Sequence, residues 1–314
     1  MMRRIAAGAI SSRTNQGVVA MSTSLEVQSE DPFENALDAF SRTIEHDLAT
    51  RQLTFPTFLD LTIRIKRVCD DPQSSLDDII RVIRADPLLS ARIIRLANSV
   101  ALNPYGKSFT AISDAVRRVG LVNVRSLAFA VATEQLAAEA RSADARLIAS
   151  GLWMHTIDVA SWAYAITRHL RAGDPDTALF AAMLSSIGQF YLLARATAHP
   201  ELEKDLNRLG EFIGLWHEPV GRALLTALDV PQSVTAVLDD GDPYGGQWPP
   251  MELRDIHFIA GLSADTPNPF LRYSAATQRG LLEAATQQLP EDDFTALRAD
   301  ARESRNSLLA ALRG

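Results

Sequence analysis

The sequence predicts an all-α protein, and three observations carry that prediction. Apolar residues recur at spacings of three and four along most of the chain, the period of a helix with one buried face. Aspartate–proline pairs and single glycines sit between these periodic stretches, where helices start and stop. No stretch shows the two-residue alternation of a half-buried strand.

The first 32 residues are polar, small and without periodicity, and are expected to form a disordered tail. Arg3 and Arg4 precede only a short apolar run before Ser11 and Ser12 interrupt it, too short for a signal peptide. Met21 is an alternative start. Phe33, Leu37, Phe40, Ile44 and Leu48 then share one helical face. Phe58, Leu61, Ile65 and Val68 mark another helix, stopped by Asp71-Pro72. Ser75 and Asp78 have the spacing of a capping box ahead of Ile79, Ile80 and Ile83. Asp86-Pro87 opens the next helix: the carboxylate accepts first-turn N–H groups, and proline has no N–H to leave unbonded. Leu89, Ile93, Leu96 and Ala97 of that helix face the core. Two helices follow, the first ended by Gly120.

The polar patch "RSADAR" (141–146) is the expected boundary between two packed helical subdomains, about 33–140 and 146–265, of one domain spanning 33–265. Residues 266–314 are expected to be a C-terminal helical extension. The second half opens with a long helix ending near Leu170. Asp174-Pro175 caps a helix carrying "AAMLSSIGQF" (181–190), read as continuous, with Ser185 and Gly188 on a small-residue stripe. There, each serine hydroxyl is expected to bond the carbonyl four residues back. Two helices are expected between His199 and Val230. Pro219 is assigned to the first turn of the second, because proline is excluded from helix interiors. Pro231 starts a further short helix, and later helices break at Pro267, Pro269 and Pro290.

The chain has 314 residues, 47% hydrophobic and 22% charged, which suffices for a sizeable core. A net charge of -7 argues against a dedicated nucleic-acid binder. The single cysteine, Cys69, excludes an internal disulfide and a cysteine-based metal site. No run is expected to approach the ~18 apolar residues of a membrane span. A cytoplasmic protein without a membrane partner is the expectation.

Local catalytic motifs are missing. The six histidines (His46, His155, His169, His199, His217 and His257) form no HxxxH or HExxH pair. There is no GxSxG elbow or phosphate-binding glycine loop. The arginines between Arg64 and Arg125 fit solvated helix faces, or a docking face for an acidic partner or anionic ligand. Tyr244 and Trp248 fit either an interface or a sealed turn.

Six segments taken together resemble a known family: "FPTFLDLTIRIKRVCDDPQSSLDDIIRVIRADPLLSARIIRLANSV", "ISDAVRRVGLVNVRSLAF", "LWMHTIDVASWAYAI", "ALFAAMLSSIGQFYLL", "GEFIGLWHEPVGRALLTALDVP" and "VTAVLDDGDP". The first carries DP-x-L-x-x-R-x-x-x-x-x-N-S as Asp86, Pro87, Leu89, Arg92, Asn98 and Ser99. This is similar to the HDOD domain, the HD-related output domain of bacterial signalling proteins and a degenerate branch of the HD phosphohydrolase superfamily. The resemblance covers roughly residues 50 to 260. It implies that His155 matches the first histidine of the metal site in active HD enzymes. Ser185 and Ser186 then stand where the adjacent His-Asp pair would be. His217 matches a later histidine, and Asp239 and Asp240 stand where related proteins often carry two histidines.

Imidazole and carboxylate suit a divalent metal that activates water against a phosphoester, whereas a serine hydroxyl is a poor ligand. The resemblance therefore implies a vestigial site with no catalytic residue, no metal and no cofactor. It implies a regulatory protein acting through signalling partners, those of cyclic-nucleotide signalling among them. Two alternatives stay open: a residual phosphohydrolase using His155, His217 and Asp239 or Asp240, and a nucleotide-binding module using the same pocket. Homo-oligomerisation is also left open.

Overall fold

The structure is a computed structural model describing residues 31–51, 63–65, 67–68, 71–99, 102–103, 106, 108–139, 142–228, 230–238, 248–270 and 275–312. Every regular element among the described residues is helical. The expected tail through residue 30 lies outside them, as do Phe58, Leu61 and Cys69.

Helix α1 (Pro32–Thr50) begins where Asp31 accepts the N–H of Phe33 at 3.0 Å. Arg208 clamps this start: it bonds Asp31 at 2.8 Å, pairs with Glu34 and lies 4.3 Å over the Phe33 ring. Its hydrogen bond holds the Asp31 carboxyl below the usual range. Helix α2 (Leu76–Arg84) has both arms of the capping box between Ser75 and Asp78. Helix α3 (Pro87–Ala97) starts with Asp86 accepting the N–H of Leu89 at 2.8 Å. Helix α4 (Ile112–Val119) stops at Gly120, whose φ of 82° is a conformation that favours glycine. Helix α5 (Leu121–Glu139) runs beneath it, with Val124 and Leu127–Ala132 buried.

Helix α6 (Ala143–Leu170) is the centre of the molecule. It packs against α5, α7 (Pro175–Leu184), α11 (Leu253–Ser263) and α13 (Glu291–Leu312). Neighbours on all sides leave Thr156–Ala163 buried without a break, so no polar face remains. Helix α8 (Ile187–Ala196) packs on α9 (Leu206–Ala227), and α1 meets α9 through Phe40 and Phe212, 5.3 Å apart. The short α10 (Gln232–Thr235) follows Pro231, and α12 (Ala275–Thr286) precedes α13. One connected core includes Phe33 of α1, Phe129 of α5, Phe190 of α8 and Leu309 of α13, so the two halves on either side of 141–146 share it.

Three expectations require correction. The segment around the serines is not one helix. Helix α7 ends at Leu184, and Ser186, with φ −87° and ψ 2°, precedes α8. Ser185 bonds the carbonyl three residues back, Ala182, at 2.7 Å. Serine hydroxyls compete with the helical backbone, and here they accompany a break.

Pro219 lies inside α9, not in the first turn of a new helix. A proline at this position frees the carbonyl of Leu215. Pro219 is exposed and Leu215 is 72% exposed, so the freed carbonyl lies on the solvent side, where water can satisfy it. Tertiary packing on both sides of the proline, through Phe212 and Ile213 before it and Val220 and Leu224 after it, holds one helix together.

One segment, Pro175–Ala196, is long and apolar enough to cross a membrane, contrary to the expectation that none would be. It is mostly buried inside the protein and is divided at the two serines.

Candidate functional site

The buried polar residues of α6 single out a site. Thr156, Ser161 and Thr167 each bond the carbonyl four residues back, at 2.8 Å, and so are satisfied within the helix. His155 and Asp158 reach outside it. Spaced by three, they lie on one face and meet the segment after α11. His155 Nδ1 is 2.8 Å from the carbonyl oxygen of Thr266, a contact that requires Nδ1 to carry the proton. Asp158 Oδ2 accepts the N–H of Thr266 at 2.8 Å. One peptide residue is thus held at both its N–H and its C=O. The other oxygen of Asp158 is paired with Arg305 of α13. Asp158 is 1% exposed, and a carboxylate at that depth needs such partners.

His257 on α11 completes the neighbourhood. Although its side chain keeps some exposed surface, its Nδ1 is shielded from solvent and has no partner. Burial, reinforced by His155, pushes its pKa down to about 4. Burial also lowers the pKa of His155, against the opposing pulls of the Thr266 carbonyl and Asp158. Both rings are neutral near pH 7.

Ser186, on the other side of α6, is 5% exposed and hydrogen-bonded to Thr156 at 2.9 Å. Thr156 has one hydroxyl proton and the Leu152 carbonyl can only accept, so Ser186 supplies the proton between the hydroxyls. Both serine protons are therefore committed, one to Thr156 and one to Ala182. His217, half-buried on α9, has a shielded Nδ1 without a partner, and burial lowers its pKa. Its carbonyl oxygen lies against Gly188. Asp239 and Asp240 lie outside the described residues.

Ser185 and Ser186 do not suit a divalent cation. The two hydroxyls are neutral, turned inward and poor ligands, whereas the Nδ1 bond of His155 to a peptide carbonyl leaves Nε2 as its acceptor nitrogen. Among the described residues, no three His, Cys, Asp or Glu side chains are grouped to hold a metal ion.

The residues of the DP…NS motif are structural. Asp86 and Pro87 start α3. Arg92, buried, pairs with Glu134 at 2.5 Å and ties α3 to α5. Asn98 brackets Phe109, donating to its carbonyl and accepting from its N–H, both at 2.8 Å. The Ser99 carbonyl accepts from Leu102 and Asn103. Other arginines of the first half also have internal partners: Arg81 pairs with Asp78 and Arg95 bonds the Ala310 carbonyl. Trp248 packs partly buried against the core, while Tyr244 lies outside the described residues.

Comparison with known proteins follows the same lines. The HDOD domain family matches residues 55–240, more than half of the sequence. The chain belongs to the HDOD domain family. Among solved structures, an HDOD domain protein of unknown function from Geobacter sulfurreducens is similar at 20% identity and a TM-score of 0.54, over 85% of this chain and 96% of its own. A "putative metal-dependent phosphohydrolase" from Shewanella amazonensis SB2B reaches 24% identity and a TM-score of 0.68, over 88% of this chain and 99% of its own. A "putative signal transduction protein" from Marinobacter aquaeolei VT8 is 17% identical with a TM-score of 0.54, over 90% of this chain and 67% of its own. At these identities the likeness is one of fold. Comparison with curated proteins returns no match.

Sequence reasoning named His155 but passed over Asp158, Thr156, Thr266 and Arg305. The one available signal was "HTID": a histidine and an aspartate three apart in an otherwise apolar helix.

Proposed function

We propose that this HDOD protein is a non-catalytic regulator of bacterial signal transduction, acting in the cytoplasm by binding other signalling proteins, including those of cyclic-nucleotide signalling. The observation that carries this reading is the pair of inward-bonded hydroxyls, Ser185 and Ser186, at the positions the family resemblance gives to a metal-binding pair. Without that pair, a bound water has no strong electrophile to lower its pKa, and phosphoester hydrolysis loses its nucleophile. What remains is a stable helical platform. A signalling description is also carried by the Marinobacter neighbour, although the Shewanella neighbour is described as a phosphohydrolase.

The test is hydrolysis of phosphomonoester and phosphodiester substrates by the full chain with added manganese, iron or magnesium. The expected result is no turnover above background. Metal-stimulated turnover abolished by His155→Ala would overturn the proposal.

A further inference from the structure

Helix α9 leaves one face open to solvent from end to end. Its inner side packs on α8 and α1 and buries Phe212, Ile213, Val220 and Leu224. On the outer side Asn207, Glu211, Leu215, Pro219, Arg222 and Thr226 are all exposed, in steps of three and four that keep them on one line. Leu215, at the middle of that line, is 72% exposed. Pro219 lies one turn further, and the half-buried Trp216 and Ala223 border it. A lone exposed leucine is ordinary, but an apolar centre with charged ends along one line is a pattern that calls for a cause.

The line matches itself when reversed. About a centre at His217, Leu215 mirrors Pro219, Glu211 mirrors Arg222, and Asn207 mirrors Thr226. Hydropathy is symmetric about that centre, and charge is antisymmetric. Two copies of a helix lying antiparallel across a two-fold axis need this arrangement, because residue i then meets residue j and residue j meets residue i. A parallel pair would set Glu211 against Glu211 and Arg222 against Arg222, so the charges select the antiparallel one. Glu211 has no cationic partner among the described residues. Arg222 bonds Glu218 at 2.6 Å and the Leu238 carbonyl at 3.1 Å through one nitrogen, Nη2, which fixes where its charge lies on α9.

We infer that the open face of α9 is a self-association surface, on which a second copy of this chain packs antiparallel, each Leu215 against the other copy's Pro219 and each Glu211 across from an Arg222. One helix face is small against the roughly 1,200–2,000 Å² of a stable interface, so the dimer forms at micromolar concentration or above. The Leu215 carbonyl released by Pro219 lies on this side and keeps its water, which makes the contact wet along that line. The pairing uses no HD-type side chain, so it is independent of whether the chain hydrolyses phosphoesters, and the assay above does not decide it.

Sedimentation velocity of the full chain, from micromolar to near-millimolar concentration, tests the inference. The unaltered protein should pass from monomer to dimer as concentration rises. Leu215→Glu and Glu211→Arg change exposed side chains, so both variants should fold, and each should weaken the dimer about tenfold or more. The loss in Glu211→Arg should shrink as salt is added, because it comes from repulsion between exposed like charges. A chain that stays monomeric throughout, or a dimer that Leu215→Glu leaves unchanged, would overturn the inference.

Mixing two variants separates direct pairing from an indirect effect. Glu211→Arg and Arg222→Glu each set like charges face to face in their own dimers, and opposite charges in a mixed dimer. Each should self-associate weakly alone, and the mixture should form a heterodimer with affinity close to that of the unaltered protein. A mixture that associates no better than either variant alone would equally overturn the inference. If Arg222→Glu loses its fold along with the bond to the Leu238 carbonyl, Leu215→Glu and Glu211→Arg against the unaltered chain decide the question.

Discussion

The backbone of Gly188 in α8 lies directly against the carbonyl of His217 in α9. A Cβ on Gly188 would overlap that oxygen and stand 2.9 Å from the amide nitrogen of Gly221. Helices α8 and α9 therefore meet backbone to backbone, and only glycine fits at the crossing. Propensity alone predicts that alanine at a helical glycine stabilises by about 1 kcal/mol. At Gly188 the overlap reverses the sign, and Gly188→Ala should destabilise by at least about 1–3 kcal/mol. Gly151 on α6 is the control, since a Cβ there meets nothing within 4 Å. Gly151→Ala should stabilise by up to about 1 kcal/mol. Urea unfolding of the two variants checks both signs.

Asp158 and Arg305 make a coupled pair. Arg305→Ala leaves a carboxylate that is 1% exposed without its cation. Arg305 itself is 28% exposed, so the expected cost is at the lower end for a broken buried pair, about 3 kcal/mol. Asp158→Asn keeps an oxygen that can accept the Thr266 N–H and removes the charge. The double variant Asp158→Asn/Arg305→Ala should therefore lose clearly less than the sum of the single losses. A double-mutant cycle by chemical denaturation measures that coupling.

Acid should weaken the fold through its histidines. His155, His217 and His257 all titrate below the ordinary value, and burial is the largest cause in each. Asp158 and the Thr266 carbonyl oppose the shift at His155, Glu218 opposes it at His217, and His155 adds to it at His257. The unfolded chain then binds more protons than the folded one below about pH 6.5. Stability from this source is full above pH 6.5, declines as pH falls, and stops declining for His257 below about 4. The His257 contribution is on the order of 3 kcal/mol across that window. His257→Gln should flatten the melting temperature against pH between 6.5 and 4.

Pro219 sits on the exposed side of α9 and removes one helical hydrogen bond. Pro219→Ala returns an N–H to the Leu215 carbonyl and should raise stability by up to about 3 kcal/mol. A rise in melting temperature without a change in helical content is the expected result.

Local chemistry made most of the fold legible. Asp86-Pro87, Asp174-Pro175 and the Ser75–Asp78 pair announce helix starts within a few residues, and each forms the cap it predicts. Gly120 likewise marks a helix end. The site was less legible, because its partners are distant in sequence. Nothing near Asp158 hints that Arg305 neutralises it or that Thr266 binds it. Pro219 misled for a related reason: local propensity ends a helix there, and packing on both sides overrides it. At Ser185 and Ser186 the chain is too apolar for periodicity to reveal the break between α7 and α8.

The proposed function requires that the HD-type positions on these helices hold no catalytic metal. Metal content of the full chain, purified without chelator and measured by elemental analysis, tests it most directly. The account predicts manganese, iron and zinc well below one equivalent, unchanged by His155→Ala. A full equivalent of any of them, lost on His155→Ala in a protein that remains folded, would contradict it.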